Sequence, residues 1–221
     1  YESIQSVLGQ TFKDFEFIII NDGSTDGSLG VINQFASEDP RIKVFDKPNT
    51  GLADTLNYGI ARAKGEWIAR IDADDLWDVS KLSKQMSLVN SRRGLVLVGT
   101  GLRFLNEYRS LSKAQFYPEK HKKLVNHLEK ARRFFAHSSA LFKTEEARNL
   151  NSYRIRIRRS QDRDLWLRLS EVGEVTCIPE PLVYIRKHDD QISHDEGGRR
   201  QLVDSYVAMI CYWLRKMQYE D

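Results

Sequence analysis

Apolar and polar positions alternate between two periods along the chain. Short continuous apolar runs, at residues 15–20, 42–45, 67–71, 95–98 and 139–143, are β-branched or aromatic and read as strands. Between them, residues 28–36, 52–63 and 81–91 carry apolar side chains every three or four positions and read as helices. Residues 1–8 read as a helix already under way, which predicts a strand preceding Tyr1. Strand, helix, strand, helix, strand is the order of right-handed βαβ units, so an α/β fold with a mostly parallel central sheet is expected. Residues 120–133 read as a basic helix, 175–178 and 182–185 as strands around Pro179-Glu180-Pro181, and 200–217 as a closing helix.

Polar chemistry gathers where the strands stop. The first full strand runs into Asn21-Asp22-Gly23-Ser24-Thr25-Asp26, and the 67–71 strand ends in Asp72-Ala73-Asp74-Asp75. In open parallel sheets ligands bind beyond the carboxyl ends of strands, so both acidic turns are expected to share one crevice. Three carboxylates in four residues repel one another. They are either a solvated cap or the hard-oxygen site of a Mg²⁺ or Mn²⁺ ion holding a phosphorylated ligand. An EF-hand is excluded, because Leu76 and Trp77 fall where a ligand and a glycine are required. Arg154-Ile155-Arg156-Ile157-Arg158-Arg159 is either an exposed edge or a contact for phosphate or a membrane surface.

Composition narrows the partners. The 221 residues carry 34 Lys and Arg against 31 Asp and Glu, a net charge of +3 that gives no case for nucleic acid. Cys177 and Cys211 match no metal or redox spacing and read as reduced thiols. No signal peptide or bilayer-length apolar run is visible, so a cytoplasmic location is expected, with the inner face of the cell membrane as a place of contact.

Taken together, these segments resemble the family 2 nucleotide-sugar glycosyltransferases of GT-A fold, especially those that build bacterial surface polysaccharides. The likeness is carried by Asn21 to Asp26, by Asn49-Thr50-Gly51-Leu52 through Asn57 and Gly59, and by Gly65-Glu66 into Asp72-Ala73-Asp74-Asp75. It continues in Asp162-Arg163-Asp164-Leu165-Trp166 and Tyr184-Ile185-Arg186-Lys187-His188 with Ser193. The resemblance implies one Rossmann-like GT-A domain over 1–221, with a nucleotide-sugar half (1–99) and an acceptor half with the C-terminal helix (100–221). It implies that Asp22 reads a uracil-like base and that Gly51, Asn57, Asp72, Ala73 and Asp74 complete the donor site. By the same likeness Asp74 binds Mn²⁺ or Mg²⁺, with Asp75 as its substitute and His188 near the metal. Asp162 is then the catalytic base, and His137 and Trp166 lie on the acceptor side. The implied activity is metal-dependent, inverting transfer of a sugar, UDP-linked, to a saccharide or lipid-linked saccharide. The rival readings are a sugar-1-phosphate nucleotidyltransferase and a non-catalytic nucleotide-sugar-binding subunit. A phosphatase with an Asp nucleophile fits less well, since Leu76-Trp77 follow the acids.

Overall fold

Phe17-Ile18-Ile19-Ile20 pack poorly in a helix but well on a pleated surface, and they open strand β1 (Phe17–Asp22). The computed structural model describes residues 1–106, 108–187 and 196–219. Helix α1 (Glu2–Leu8) precedes β1, and α2 (Ser28–Glu38) returns the chain to β2 (Ile42–Lys47), which pairs with β1 in parallel. Helix α3 (Leu52–Arg62) leads to β3 (Trp67–Ala69), and the acidic turn follows. The rest comprises β4 (Leu76–Trp77), α4 (Lys81–Ser91), β5 (Leu95–Leu105), α5 (His121–Leu128), β6 (Leu141–Lys143), α6 (Thr144–Asn149), α7 (Gln161–Val172), β7 (Glu174–Arg186) and α8 (Glu196–Lys216).

These strands form two ladders, β1-β2 and β3-β6-β5-β7-β4. The α/β layering is the expected one, and among the described residues β1 pairs with β2, and β5 with β7, in parallel. β6 and β4 enter antiparallel, β4 because the acidic turn reverses the chain straight after β3. The 175–178 and 182–185 strands are one, β7. Register shifts at Thr100/Gly101 and Gly101/Leu102 absorb the intervening prolines. A Cβ on Gly101 would lie 2.9 Å from the Glu180 carbonyl oxygen, so only glycine admits this approach. β5 carries the chain across residue 99, so the expected division into halves falls inside a strand. The 154–159 stretch is a loop.

The core lies on β5, β6 and α7, where Leu97, Phe142, Leu165, Trp166, Leu167 and Leu169 are sealed from solvent. Truncating any of these leucines to alanine typically costs 2–5 kcal/mol. Both cysteines are free thiols, as expected, Cys177 buried and Cys211 half-buried. No helix among the described residues is long and apolar enough to cross a membrane.

Candidate active site

A cavity of about 1430 Å³ opens between β1 and β3. Phe17–Asp22 and Trp67–Ala69 run along its length, and the part that concerns a ligand is the rim at their carboxyl ends, where the acidic turns stand. Asp22, Gly51, Arg70, Asp72, Ala73 and Tyr153 stand around it. The two acidic turns expected to share a crevice therefore do. A second cavity, about 660 Å³ near Lys84, Cys177 and Glu180, meets none of the candidate residues.

Asp22 is held where β1 ends. Thr50 N donates to its carboxylate at 3.0 Å and Gly51 N at 3.2 Å, and Lys47 pairs with it. Burial alone would raise this carboxyl's pKa. The bonds from Lys47 and from the Thr50 N–H outweigh burial and keep it below its usual range. Gly51 turns into α3 at φ 91°, a conformation that suits glycine, and so aims its N–H at Asp22.

Arg70 follows β3 and is 7% exposed; it forms a two-pronged ion pair with Asp72. Burial pushes the Asp72 carboxyl up, but the Arg70 charge and hydrogen bonds prevail and bring it to about 2. Ser138, fully buried on the turn His137–Ser139, ties this pair to Asp75. Its Oγ lies 2.9 Å from Asp72 Oδ2, contacts Asp75 Oδ2, and accepts from Asp72 N at 3.0 Å. A hydroxyl has one proton and so serves only one carboxylate; the other close O···O contact requires a second proton. Asp75 is the group to carry it, since burial and the charges of Asp72 and Asp74 push its carboxyl up to about 7. Arg186 N donates to Asp75 at 3.2 Å, and Arg186 Nε donates to the Asp74 carbonyl at 3.1 Å, which fixes the acidic turn against β7.

This gives a pH signature. Asp75 keeps its proton to about pH 7 in the folded chain, against 3.8 normally, so its contribution is complete below about pH 4 and fades as pH rises through 7. At 1.36 kcal/mol per pH unit that contribution is on the order of 4 kcal/mol. In EDTA, the stability difference between the parent and Asp75→Asn should shrink steadily from pH 4 to 7 in denaturant titrations. A difference that stays flat over that range would place the proton elsewhere.

Asp162 enters on the first turn of α7, with Arg163 N donating to it at 2.8 Å. Neither Asp162 nor Asp74 is on the cavity wall. Asp162 lies within the field of Arg70, Asp72 and Tyr153, three residues that are. Its carboxyl is pushed up, by burial first and then by the charge of Asp72, against the pull of Arg163 and Arg70. A carboxylate raised in this way is a better proton acceptor than a free one. His137 Nε2 is 2.7 Å from the Tyr153 hydroxyl, and burial together with Arg70 holds the imidazole well below its normal pKa, hence neutral.

Two candidates are held by their neighbours. Asn57 is not free to meet a donor: its Nδ2 donates to Tyr153 O and its Oδ1 accepts from Tyr153 N, both at 2.8 Å. It fixes the backbone of a cavity-lining tyrosine. Trp166 is 1% exposed and packs against Phe135, His137, Phe142 and Tyr153, so no saccharide reaches it. It is the floor beneath His137 and Tyr153. His188 and Ser193 lie outside the described residues. Arg70, Ser138 and Tyr153 went unread as site residues; the adjacency of Arg70 to the acids was the only available signal for them.

Among the described residues no three His, Cys, Asp or Glu side chains converge as a ready-made metal site. The acidic turn still fits a hard divalent cation. Its donors are carboxylate oxygens, and one of them takes up a proton near neutrality for want of positive charge. Asp74, half-exposed, is the more accessible ligand, and Asp75 is the buried one.

The model of the family described as Glycosyl transferase family 2 matches residues 1–150. EpsE of Bacillus subtilis (strain 168) is 36% identical over 194 residues, covering 86% of the chain and 68% of EpsE. The O-antigen biosynthesis glycosyltransferase WbnJ of Escherichia coli is 33% identical over 168 residues, covering 76% and 65%. The chain thus spans about two thirds of the length of these relatives. S. aureus TarS 1-349 in complex with UDP-GlcNAc superposes with TM-score 0.73 at 14% identity, covering 99% of the chain and 69% of TarS 1-349. The mannosyltransferase PcManGT from Pyrobaculum calidifontis, in complex with GDP-Man and Mn²⁺, gives 0.66 at 17% identity, covering 100% and 60%. At such identities these two show the fold, which is GT-A.

Proposed function

The chain belongs to glycosyl transferase family 2, and from that premise we propose that it moves a sugar from a nucleoside diphosphate, UDP in preference, to a saccharide or lipid-linked saccharide hydroxyl in surface glycan synthesis. The observation that carries this reading is the joint placement of Asp22 and Asp72 on one cavity, with Asp162 in the field of Asp72 and Arg70. Asp22 accepts the N3–H of the base, after exchanging one of its present donors. Asp72 and Ala73 border the sugar and diphosphate, and Arg70 keeps Asp72 ionised while they do so. Asp74, with Asp75 as the second carboxylate, would hold Mn²⁺ or Mg²⁺, and the ion would supply a Lewis acid for the negative charge of a departing diphosphate. Asp162 takes the proton of the acceptor hydroxyl as its oxygen attacks the anomeric carbon from the face opposite the leaving group. A single displacement of this kind inverts the anomeric centre. That PcManGT was solved with GDP-Man and Mn²⁺, and TarS with UDP-GlcNAc, supports both the donor class and the metal.

The test is a thermal-shift panel of UDP-, GDP- and dTDP-sugars with and without Mn²⁺. A donor at a hundred times its Kd should add about 2.7 kcal/mol of stability, and only with the metal present. Stabilisation by no member of the panel would overturn the proposal. Release of pyrophosphate in place of a nucleoside diphosphate during turnover would do the same.

A further inference from the structure

Lys81 is a buried amine that the proposed transfer leaves without a role. It stands on the first turn of α4, fully buried, and so is Gln85 one turn further on. Among the described residues no carboxylate pairs with the Lys81 amine, and burial pushes it well below its ordinary range. Its Nζ donates to Gln85 Oε1 at 2.8 Å and stands 3.9 Å from the centroid of the Trp77 ring. A methionine would fill the same channel without desolvating an amine, so packing alone does not account for the residue.

The groups that the amine touches lead to the site. Gln85 Nε2 donates to the carbonyls of Val98 and Ser139, both at 2.9 Å, and Trp77 Nε1 donates to the Ser138 carbonyl at 2.8 Å. The two side chains that meet Lys81 therefore hold consecutive carbonyls of the turn His137–Ser139, and Gln85 also grips β5 at Val98. Ser138, between these holds, turns its Oγ to Asp72 and Asp75 and accepts from Asp72 N at 3.0 Å. A displacement of the 138–139 backbone thus moves the hydroxyl that sets both carboxylates. With Oε1 occupied by the amine, the Gln85 amide has one orientation left, and Nε2 is the end that faces the two carbonyls. Methionine could not impose that orientation.

We propose that Lys81 is a positioning residue: its amine clamps Gln85 and Trp77 together, and through them sets the Ser138 hydroxyl so that Asp72 and the acidic turn are presented to a divalent cation and a diphosphate. The identity of that ligand rests on the proposed transfer; the coupling from Lys81 to Ser138 does not. An outer partner that hydrogen-bonds a ligating carboxylate is worth about 10–100-fold in metal affinity, because it fixes how the ligand is presented. Ser138 is such a partner of Asp75, and Lys81 supports it from behind. The rival reading is that Lys81 only fastens α4 to the core, in which case its loss is felt as stability and not at the acids.

Three variants of the full chain decide between these readings. Lys81→Met removes the clamp, and Trp77→Phe keeps a ring against the amine but loses the bond to the Ser138 carbonyl. Leu124→Ala, a truncation in the buried core of α5, is the control for lost stability. Hydrogen exchange followed by NMR in EDTA needs neither metal nor donor. The amides of Asp72, Ser139 and Ala140 should exchange about tenfold faster in Lys81→Met and Trp77→Phe than in the parent, with exchange in α7 unchanged. In transfer assays the half-saturating Mn²⁺ concentration and the donor KM should rise by about tenfold, while the acceptor KM stays as it was. Leu124→Ala should lower the melting temperature and leave these constants alone. Faster exchange confined to α4, or Mn²⁺ and donor constants equal to the parent's in both variants, would overturn the proposal. So would the same rise in Leu124→Ala. A parent stabilised by no nucleotide sugar overturns the transfer reading alone, and exchange at Asp72 then still decides the coupling.

Discussion

Asp162→Asn should lower sugar transfer by about 10²–10⁴-fold, the range supplied by a well-placed general base, while donor affinity stays within a factor of two or three. Asparagine keeps the shape of the side chain and can still accept from Arg163 N, so α7 begins as before. What it cannot do is take a proton. The field around residue 162 gives the experiment a second readout. Burial and Asp72 push the Asp162 carboxyl up, so the acid limb of kcat/KM in the parent should lie above the range of a free aspartate. In the variant that limb should disappear. Isothermal titration with the nucleotide and single-turnover transfer assays separate the two quantities. Equal loss of binding and transfer would assign Asp162 to the donor site instead.

The second large effect is on stability. Asp164→Ala should cost about 3–5 kcal/mol, a fall in melting temperature on the order of 10 °C. Asp164 is fully buried two residues after the proposed base, and Arg168, 5% exposed, donates to it through Nε at 3.0 Å and through NH2. Arg168 also donates to the Leu150 and Ser152 carbonyls, so the pair fastens the segment before Tyr153 to α7. Removing the carboxylate strands a guanidinium in the core. The double replacement Asp164→Leu with Arg168→Met should be milder than Asp164→Ala alone, because no charge is left unpaired. If the double variant loses more, the pair stabilises the fold in its own right.

These two acids show what could be read in advance. Both fall in the first turn of α7, and the sequence places both near a helix start, where an acid contributes roughly 0.3–1 kcal/mol through the dipole. Their separate fates depend on partners far along the chain, and periodicity does not report those. The strand-end acids were legible because the change from apolar run to carboxylates is local: Asp22 and Asp72 close their strands within a few residues of where the pattern stops. The surroundings of Asn57 and Trp166 were illegible for the opposite reason. Asn57 is held by a backbone 96 residues away, and Trp166 is packed by four rings from three other segments. β4, with two residues, and α6, with six, were too short to leave a period. β7 looked broken by its prolines because the glycine that lets them pass is on β5.

The acids nearest the candidate donor site are each met by a cation, Lys47 at Asp22 and Arg70 at Asp72. A negatively charged ligand arriving beside them meets carboxylates whose charge is already offset, so the repulsion felt on approach is smaller than a count of acids suggests. Replacing either cation would restore that repulsion before any direct contact with the ligand is lost.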